Sequence, residues 1–287
     1  LIINNHIYCY ILFKYVFWLK LLDKTLYKNN KIKKTSCDLI IKIMFLLLIS
    51  SNKNLLAENL YVGVASNFLE PINIIKKDFK KETGHNLIII NGSSGSLYTQ
   101  IMNGGPIDIF LSAEQKLPKK LEINKKSVMG TRFTYAKGEL KLWSLNKALF
   151  KKQFPEILSS NLVKYIGIGN PLFVPYGYAS KEALEKIGLF KTLSDKLILG
   201  KNINQVFLMG YSRNLDLAFV AKSNIISNKN NKKGKIWNIP QNLYSPINQD
   251  GIMLLSGEKK KGAFKFLKFL VSDNVKKRIR DFGYIVE

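Results

Sequence analysis

The chain has 287 residues, 45 Lys and Arg against 20 Asp and Glu, and a formal net charge of +25. Its 46% hydrophobic and 23% charged content are globular values and exclude wholesale disorder. Two Cys exclude a disulfide scaffold and any Cys-rich zinc or iron–sulfur centre.

Residues 1–57 read differently from the rest. An apolar, aromatic stretch over 7–22 is interrupted by Lys14 and is short for a membrane span. A basic stretch, KNNKIKK (28–34), precedes an apolar run, LIIKIMFLLLIS (39–50), and a polar segment ending at Ala57. That order describes a secretory signal peptide over about 28–57, with cleavage near Ala57. A retained membrane anchor is the alternative. The first Met is Met44, which leaves the translation of the upstream part open. Cys9, Cys37 and His6 all fall in this leader, so residues 58–287 carry no Cys and a single His, His85. His85, between Gly84 and Asn86, is expected to be a solvated turn residue. Nucleophilic catalysis through a Cys–His or Ser–His–Asp arrangement would rest on that one His.

Beyond Ala57 the pattern alternates. LYVGVA (60–65) reads as a strand by its β-branched content. Phe68, Ile72, Ile75 and Phe79 then recur at helical spacing, and Gly84 stops that helix. NLIIING (86–92) is a strand, 96–103 a short helix and PIDIFLSA (106–113) a buried strand. ELKLWSL (139–145) and KYIGIG (164–169) are strands, and 179–188 is a helix ending at Gly188. KLILG (196–200) is a strand, 204–211 a helix and DLAFVA (216–221) a strand. Residues 244–256 contain another strand, and 261–272 and 273–283 are amphipathic helices. This alternation predicts an α/β fold of two domains, with parallel sheets covered on both faces. NKNNKKGK (228–235) reads as a solvated loop.

Four strand-to-helix turns carry small, hydroxyl or amide residues: Ala65-Ser66-Asn67, Gly92-Ser93-Ser94-Gly95-Ser96, Pro175-Tyr176-Gly177 and Lys201-Asn202-Ile203-Asn204. Each helix start offers unpaired N–H groups and about half a positive charge. Gly permits close approach of a ligand, and Ser or Asn adds side-chain donors. Taken singly, each turn reads first as an ordinary helix cap. Neither GxxxxGK[ST] nor GxGxxG is present, so a nucleotide site is not indicated. Ligands bind at the carboxyl ends of strands in such sheets, so the turns matter if topology brings them together.

Ordered blocks carry a family resemblance over nearly all of 59–287. They are VGVASNF (62–68), NGSSGSLYTQIMNGGPIDIFLSAEQ (91–115), GTRFTYAKGELKLWS (130–144), IGNPLFVPYGYASKEALEKIGL (168–189), GKNINQ (200–205), LDLAFVA (215–221) and FGYIV (282–286). In these blocks the chain resembles the periplasmic molybdate-binding proteins of ABC importers. The resemblance implies a two-lobed periplasmic-binding-protein fold of type II, with two crossovers between lobes. Lobe I is expected over 58–142 plus 251–287 and lobe II over 143–250. It implies capture of molybdate or tungstate in the interlobe cleft and delivery to a membrane permease. It carries Ser66 and Ser94 onto hydroxyl ligands, and Tyr176 and Ile203 onto backbone N–H donors. One branch of the family has a Tyr ligand where this chain has Ala221. Another uses the residue after the first Ser, here Asn67, and the chain resembles that second branch. Molybdenum would be held only as the oxyanion, through these same residues, with no cofactor and no catalysis. A periplasmic monomer without nucleic-acid partners is expected. The alternatives are the same fold binding sulfate or phosphate and, more remotely, an enzyme using the GSSGS loop.

Other polar residues read as structural. Asp108 is expected to bond internally, and Asp250 to cap a turn. Arg132 is read as stabilising its lobe or drawing in the anion, and Trp143 and Tyr135 as core or hinge packing. The leader holds nine Lys and two Asp, so 58–287 keeps +18. Nearly all of that is Lys scattered over helix faces among Asn and Ile. That is a compositional bias, not a nucleic-acid stripe.

Overall fold

The computed structural model describes residues 57–227 and 234–287. The expected leader lies outside the described residues except for Ala57, and so does most of the loop expected over 228–235. The strands are β1 (Asn59–Ala65), β2 (Asn86–Gly92), β3 (Ile109–Leu111), β4 (Phe133–Gly138), β5 (Leu140–Ser144), β6 (Ile166–Gly169), β7 (Leu197–Gly200), β8 (Leu217–Ala221), β9 (Lys235–Asn238) and β10 (Ile247–Met253). The helices are α1 (Leu69–Thr83), α2 (Ser94–Met102), α3 (Lys116–Ile123), α4 (Pro175–Lys186), α5 (Ile203–Tyr211), α6 (Lys222–Ser227), α7 (Lys261–Leu270) and α8 (Asp273–Asp281).

Two five-stranded sheets form, in the orders β2-β1-β3-β10-β4 and β7-β6-β8-β5-β9. In the first, β1 pairs parallel with β2 and β3, while β10 runs antiparallel to β3 and β4. In the second, β6 pairs parallel with β7 and β8, while β5 runs antiparallel to β8 and β9. The sheets are therefore mixed, not parallel as expected. The parallel strands belong to strand–helix–strand units, whereas β5 and β10 are the strands that receive the chain as it changes sheets. The first crossover is a single residue, Glu139, between β4 and β5. The return runs from β9 to β10. The expected lobe boundaries at 142/143 and 250/251 thus fall inside β5 and β10, because strand pairing, not helix spacing, decides which sheet owns each segment.

Side-chain alternation fixes which face each strand buries. Leu60, Val62 and Val64 of β1 join Ile109 and Leu111 of β3 against α1, α7 and α8. Phe110, between those two, faces Leu97, Ile101 and Leu121 of α2 and α3 on the other side. On α1, Ile72, Ile75 and Phe79 form one buried stripe, and Gly84 ends the helix in the left-handed region at φ 76°. Each fully buried side chain of this size contributes roughly 1.5–3 kcal/mol.

His85 is buried, against expectation. Its Nδ1 accepts the N–H of Glu58 at 3.2 Å, its ring stacks on Phe79, and Lys265 Nζ lies 3.4 Å from Nε2. The turn is covered because α7 packs over it, with Gly262 against the imidazole. Asp108 bonds internally as expected, to the N–H of Tyr61 at 2.8 Å and to Lys260 Nζ at 2.7 Å. Trp143 is a core residue packed on Phe207.

Two ion clusters brace the crossovers. Asp250 of β10 is fully buried and receives Arg132 Nη1 at 2.7 Å, Thr134 Oγ1 at 2.7 Å and Gln115 Nε2 at 3.1 Å. Arg132 also pairs with Glu122 of α3, so it ties α3 to the β4–β10 edge. In this position it braces its lobe. At the first crossover, Glu139 pairs with Lys141 at 2.7 Å and Lys222 at 2.6 Å. Burial alone would raise this carboxyl, but the hydrogen bonds from the two lysines outweigh it and hold the group below its ordinary 4.5.

Two outcomes follow for stability. Arg132→Met strands the buried Asp250 carboxylate and should cost about 3 kcal/mol, read as a lowered midpoint in urea unfolding. Glu139 has a folded pKa below its unfolded one, so its stabilisation is complete above the ordinary value. It is lost as pH falls through the depressed value. Glu139→Gln should therefore show a shallower fall in melting temperature between about pH 6 and pH 3 than the wild-type protein, by calorimetry.

Candidate functional site

The carboxyl ends of the parallel strands set the site. Ala65 of β1 lies in register with Gly92 of β2, and Val64 with Leu111 of β3. In the second sheet Gly169 of β6 is opposite Gly200 of β7. The four turns leave the sheets at these ends.

After β1, Ser66–Phe68 make a 3-10 turn into α1. Ser66 is buried, and its Oγ has no hydrogen-bond partner among the described residues. After β2, Ser93 is the N-cap of α2, accepting the Ser96 N–H at 3.1 Å. Ser94 is the first helical residue and is fully buried. Its Oγ accepts the Ala113 N–H at 2.9 Å, which leaves the hydroxyl proton to donate elsewhere.

After β6, Pro175 opens α4 at a position that needs no N–H, and Tyr176 follows it. The helix begins four residues earlier than the expected 179, so the Pro175-Tyr176-Gly177 turn is its first turn. Gly177 is required there, since a Cβ would lie 2.0 Å from the carbonyl oxygen of Gly169. After β7, Asn202 caps α5 by accepting the Gln205 N–H at 2.9 Å, and Gln205 Oε1 accepts the Lys201 N–H at 2.7 Å. Ile203 is then the first helical residue. The N–H groups of Ser94, Tyr176 and Ile203 have no acceptor within their own helices.

The turns converge. Ala65 and Ala113, at strand ends of the first sheet, share one apolar cluster with Tyr176 and Ile203 of the second. Gly95 N–H donates to the carbonyl of Phe173 at 3.0 Å, joining the start of α2 to the segment before α4. Ser223 Oγ donates to the carbonyl of Asn67 at 3.0 Å, joining α6 to the first turn. Ser66, Asn67, Ser94, Tyr176 and Ile203 are all buried. Two cavities of about 380 and 200 Å³ run along the seam outside them, both lined by Glu114, Lys116, Pro175 and Tyr178. Desolvation raises the Glu114 carboxyl above its ordinary range against the pull of Lys116 and Lys120.

A buried polar network lies beneath the first turn. Asn67 Nδ2 donates to Gln249 Oε1 and to the Tyr284 hydroxyl, each at 2.9 Å, which uses both amide hydrogens. The Tyr284 hydroxyl also lies 2.7 Å from the Asn67 carbonyl and 3.0 Å from Ser223 Oγ. Tyr135 reaches Gln249 Oε1 at 3.0 Å and the Ser112 carbonyl at 3.1 Å, so it bonds at the site's floor as well as packing. Gln249 Nε2 donates to the Tyr176 hydroxyl at 3.1 Å. Burial raises the phenols of Tyr135, Tyr176 and Tyr284, keeping all three protonated.

The five residues named from the sequence are thus gathered in one region. Gln249, Tyr284 and Ser223 were not named, although FGYIV and the strand within 244–256 were seen. A buried amide inside a strand has no local signature, because its partners lie 182 and 73 residues away. Ala221 ends β8 fully buried.

The donors are hydroxyls and backbone N–H groups at helix starts, which suits an anion that brings its own negative charge. The profile of the bacterial extracellular solute-binding proteins matches residues 60–285. The molybdate-binding protein ModA of Azotobacter vinelandii is 37% identical over 228 residues, covering 79% of this chain and 90% of that protein. ModA of Rhodobacter capsulatus is 37% identical over 231 residues, covering 80% and 90%. The solved structure of the A. vinelandii periplasmic molybdate-binding protein superposes with a TM-score of 0.75 at 34% identity. It covers 79% of this chain and 99% of that one. The resemblance carried by the ordered sequence blocks is borne out, and the chain belongs to the bacterial extracellular solute-binding protein family.

Proposed function

We propose that the protein captures molybdate between its two lobes and delivers it to the membrane permease of an ABC transporter. The convergence of four strand-to-helix turns, with buried hydroxyl and N–H donors, carries this reading. The two ModA relatives, each matched over 90% of its length, supply the choice of anion. Ser66 and Ser94 give hydroxyl bonds, and Tyr176 and Ile203 give backbone N–H bonds. Asn67 contributes through its N–H, because its amide hydrogens are held by Gln249 and Tyr284.

Such a shell needs no cation. Molybdate is a dianion at neutral pH, and charge-assisted bonds from fixed donors are shorter and stronger than neutral ones. Exclusion of water strengthens them further, and donors already in place cost little reorganisation. Tungstate is nearly isosteric and fits the same donors. Sulfate carries the same charge but is smaller, so the donors of both lobes meet it less well. The protein acts by binding and release, without chemistry on the anion and without a further cofactor. It works after export, as a periplasmic monomer that binds no nucleic acid.

Ser94→Ala should weaken molybdate binding by about 1–3 kcal/mol in isothermal titration calorimetry. Unchanged affinity would remove Ser94 from the site. A thermal-shift series with molybdate, tungstate, sulfate and phosphate should stabilise the protein most with the first two. A large shift with sulfate alone would overturn the choice of anion.

A further inference from the structure

Gln249 lies fully buried on β10 and contacts both lobes' donor turns. Its oxygen accepts from Asn67 Nδ2 at 2.9 Å and from Tyr135 at 3.0 Å, and its nitrogen donates to the Tyr176 hydroxyl at 3.1 Å. Asn67 belongs to the turn after β1, in the first lobe. Tyr176 belongs to the start of α4, in the second lobe, and its own N–H is among the proposed donors. One side-chain amide therefore spans from a donor turn of one lobe to a donor helix of the other.

The seat of this link is shaped for it. Gly138 ends β4 beside the first crossover, and a Cβ there would lie 2.0 Å from the Tyr176 hydroxyl and 2.7 Å from Gln249 Nε2. Phe68, next to Asn67, packs edge-on against Tyr135 and Tyr284, so the turn is wedged from the apolar side as well. A buried network with its members paired is rigid, since each shift leaves a donor or acceptor unmet.

We infer that Gln249 is a positioning residue that sets the spacing between the oxyanion donors of the two lobes, and so the size of anion accepted. This rests on the proposed molybdate site. Tetrahedral dianions of equal charge differ, to a shell of uncharged donors, chiefly in radius. Donor separation is then the discriminating quantity. The side chains of Asn67, Gln249 and Tyr176 fix that separation and leave the backbone N–H groups of Asn67 and Tyr176 to meet the anion, and Gly138 of β4 makes room for the link.

The test compares the purified wild-type protein with Gln249→Leu, Tyr176→Phe and the double variant. Molybdate affinity is read by calorimetry, and sulfate affinity by competition. Tyr176→Phe keeps the backbone N–H and removes only the far end of the link. Each single variant should weaken molybdate about tenfold, and the double variant also only about tenfold in total, not about a hundredfold, because both cut one chain. The ratio of molybdate to sulfate affinity should narrow. Melting of the ligand-free variants checks folding. If Gln249→Leu does not fold, Tyr176→Phe carries the comparison through the affinity ratio. Affinities within twofold of wild type, an additive double variant, or equal weakening of molybdate and sulfate would each overturn the inference. Failure of the wild-type protein to take molybdate would instead sink the proposed function. The link is then judged with whichever oxyanion the wild type binds.

Discussion

A polar side chain removed from water must find partners for its hydrogens and lone pairs, or the fold bears the cost of desolvating them. Gln249, at full burial, satisfies this by drawing Asn67, Tyr135 and Tyr176 to one point. Those three residues come from the turn after β1, from β4 and from α4. The demand of one amide therefore fixes how the strand ends of the first sheet face the helix starts of the second. Tyr284 adds a second set of bonds to the same Asn67 and to Ser223 of α6. Ile285, beside it, pairs with Lys137 of β4. The last residues of the chain thus close the floor of the site.

Above that floor the arrangement is simpler. Each donor turn links a strand end to a helix start, at once after β1 and β2 and through five residues after β6, and helix starts are capped by their own side chains where the sequence allows it. Ser93 and Asn202 take the caps of α2 and α5. That leaves the neighbouring Ser94 and Ile203 with N–H groups to offer. Capping and recognition are therefore divided between adjacent residues, not alternatives at one position.

Much of this was legible in the sequence. The stripe Ile72, Ile75 and Phe79, the stop at Gly84 and the β-branched strands obey local rules, and the structure follows them. The four turns could be seen because Gly, Ser and Asn before a helix are themselves local signals. What was not legible depends on distant partners. His85 sits between turn-forming neighbours and is nevertheless buried, because Glu58 and Lys265 reach it from 27 and 180 positions away. β4 and β9 go unread, since FTYAKG and KIWN hold too few apolar residues in a row to signal a strand and are decided by pairing. The antiparallel strands β5 and β10 follow from the crossovers, which no window of sequence contains. Asn67 could be named, but its amide hydrogens are assigned only once Gln249 and Tyr284 are in place.

The register between β10 and β4 shifts at Gln249 and Asp250, where Tyr135 is the extra residue of β4, and these two consecutive residues carry two duties. Gln249 serves the network under the cleft, while Asp250 holds Arg132 and Thr134 at the edge of the sheet. In a strand, register decides which side each residue serves. A slip of one residue here would turn both side chains to the opposite faces, and both buried networks would lose their partners. This strand is consequently a place where chain length is constrained more tightly than composition.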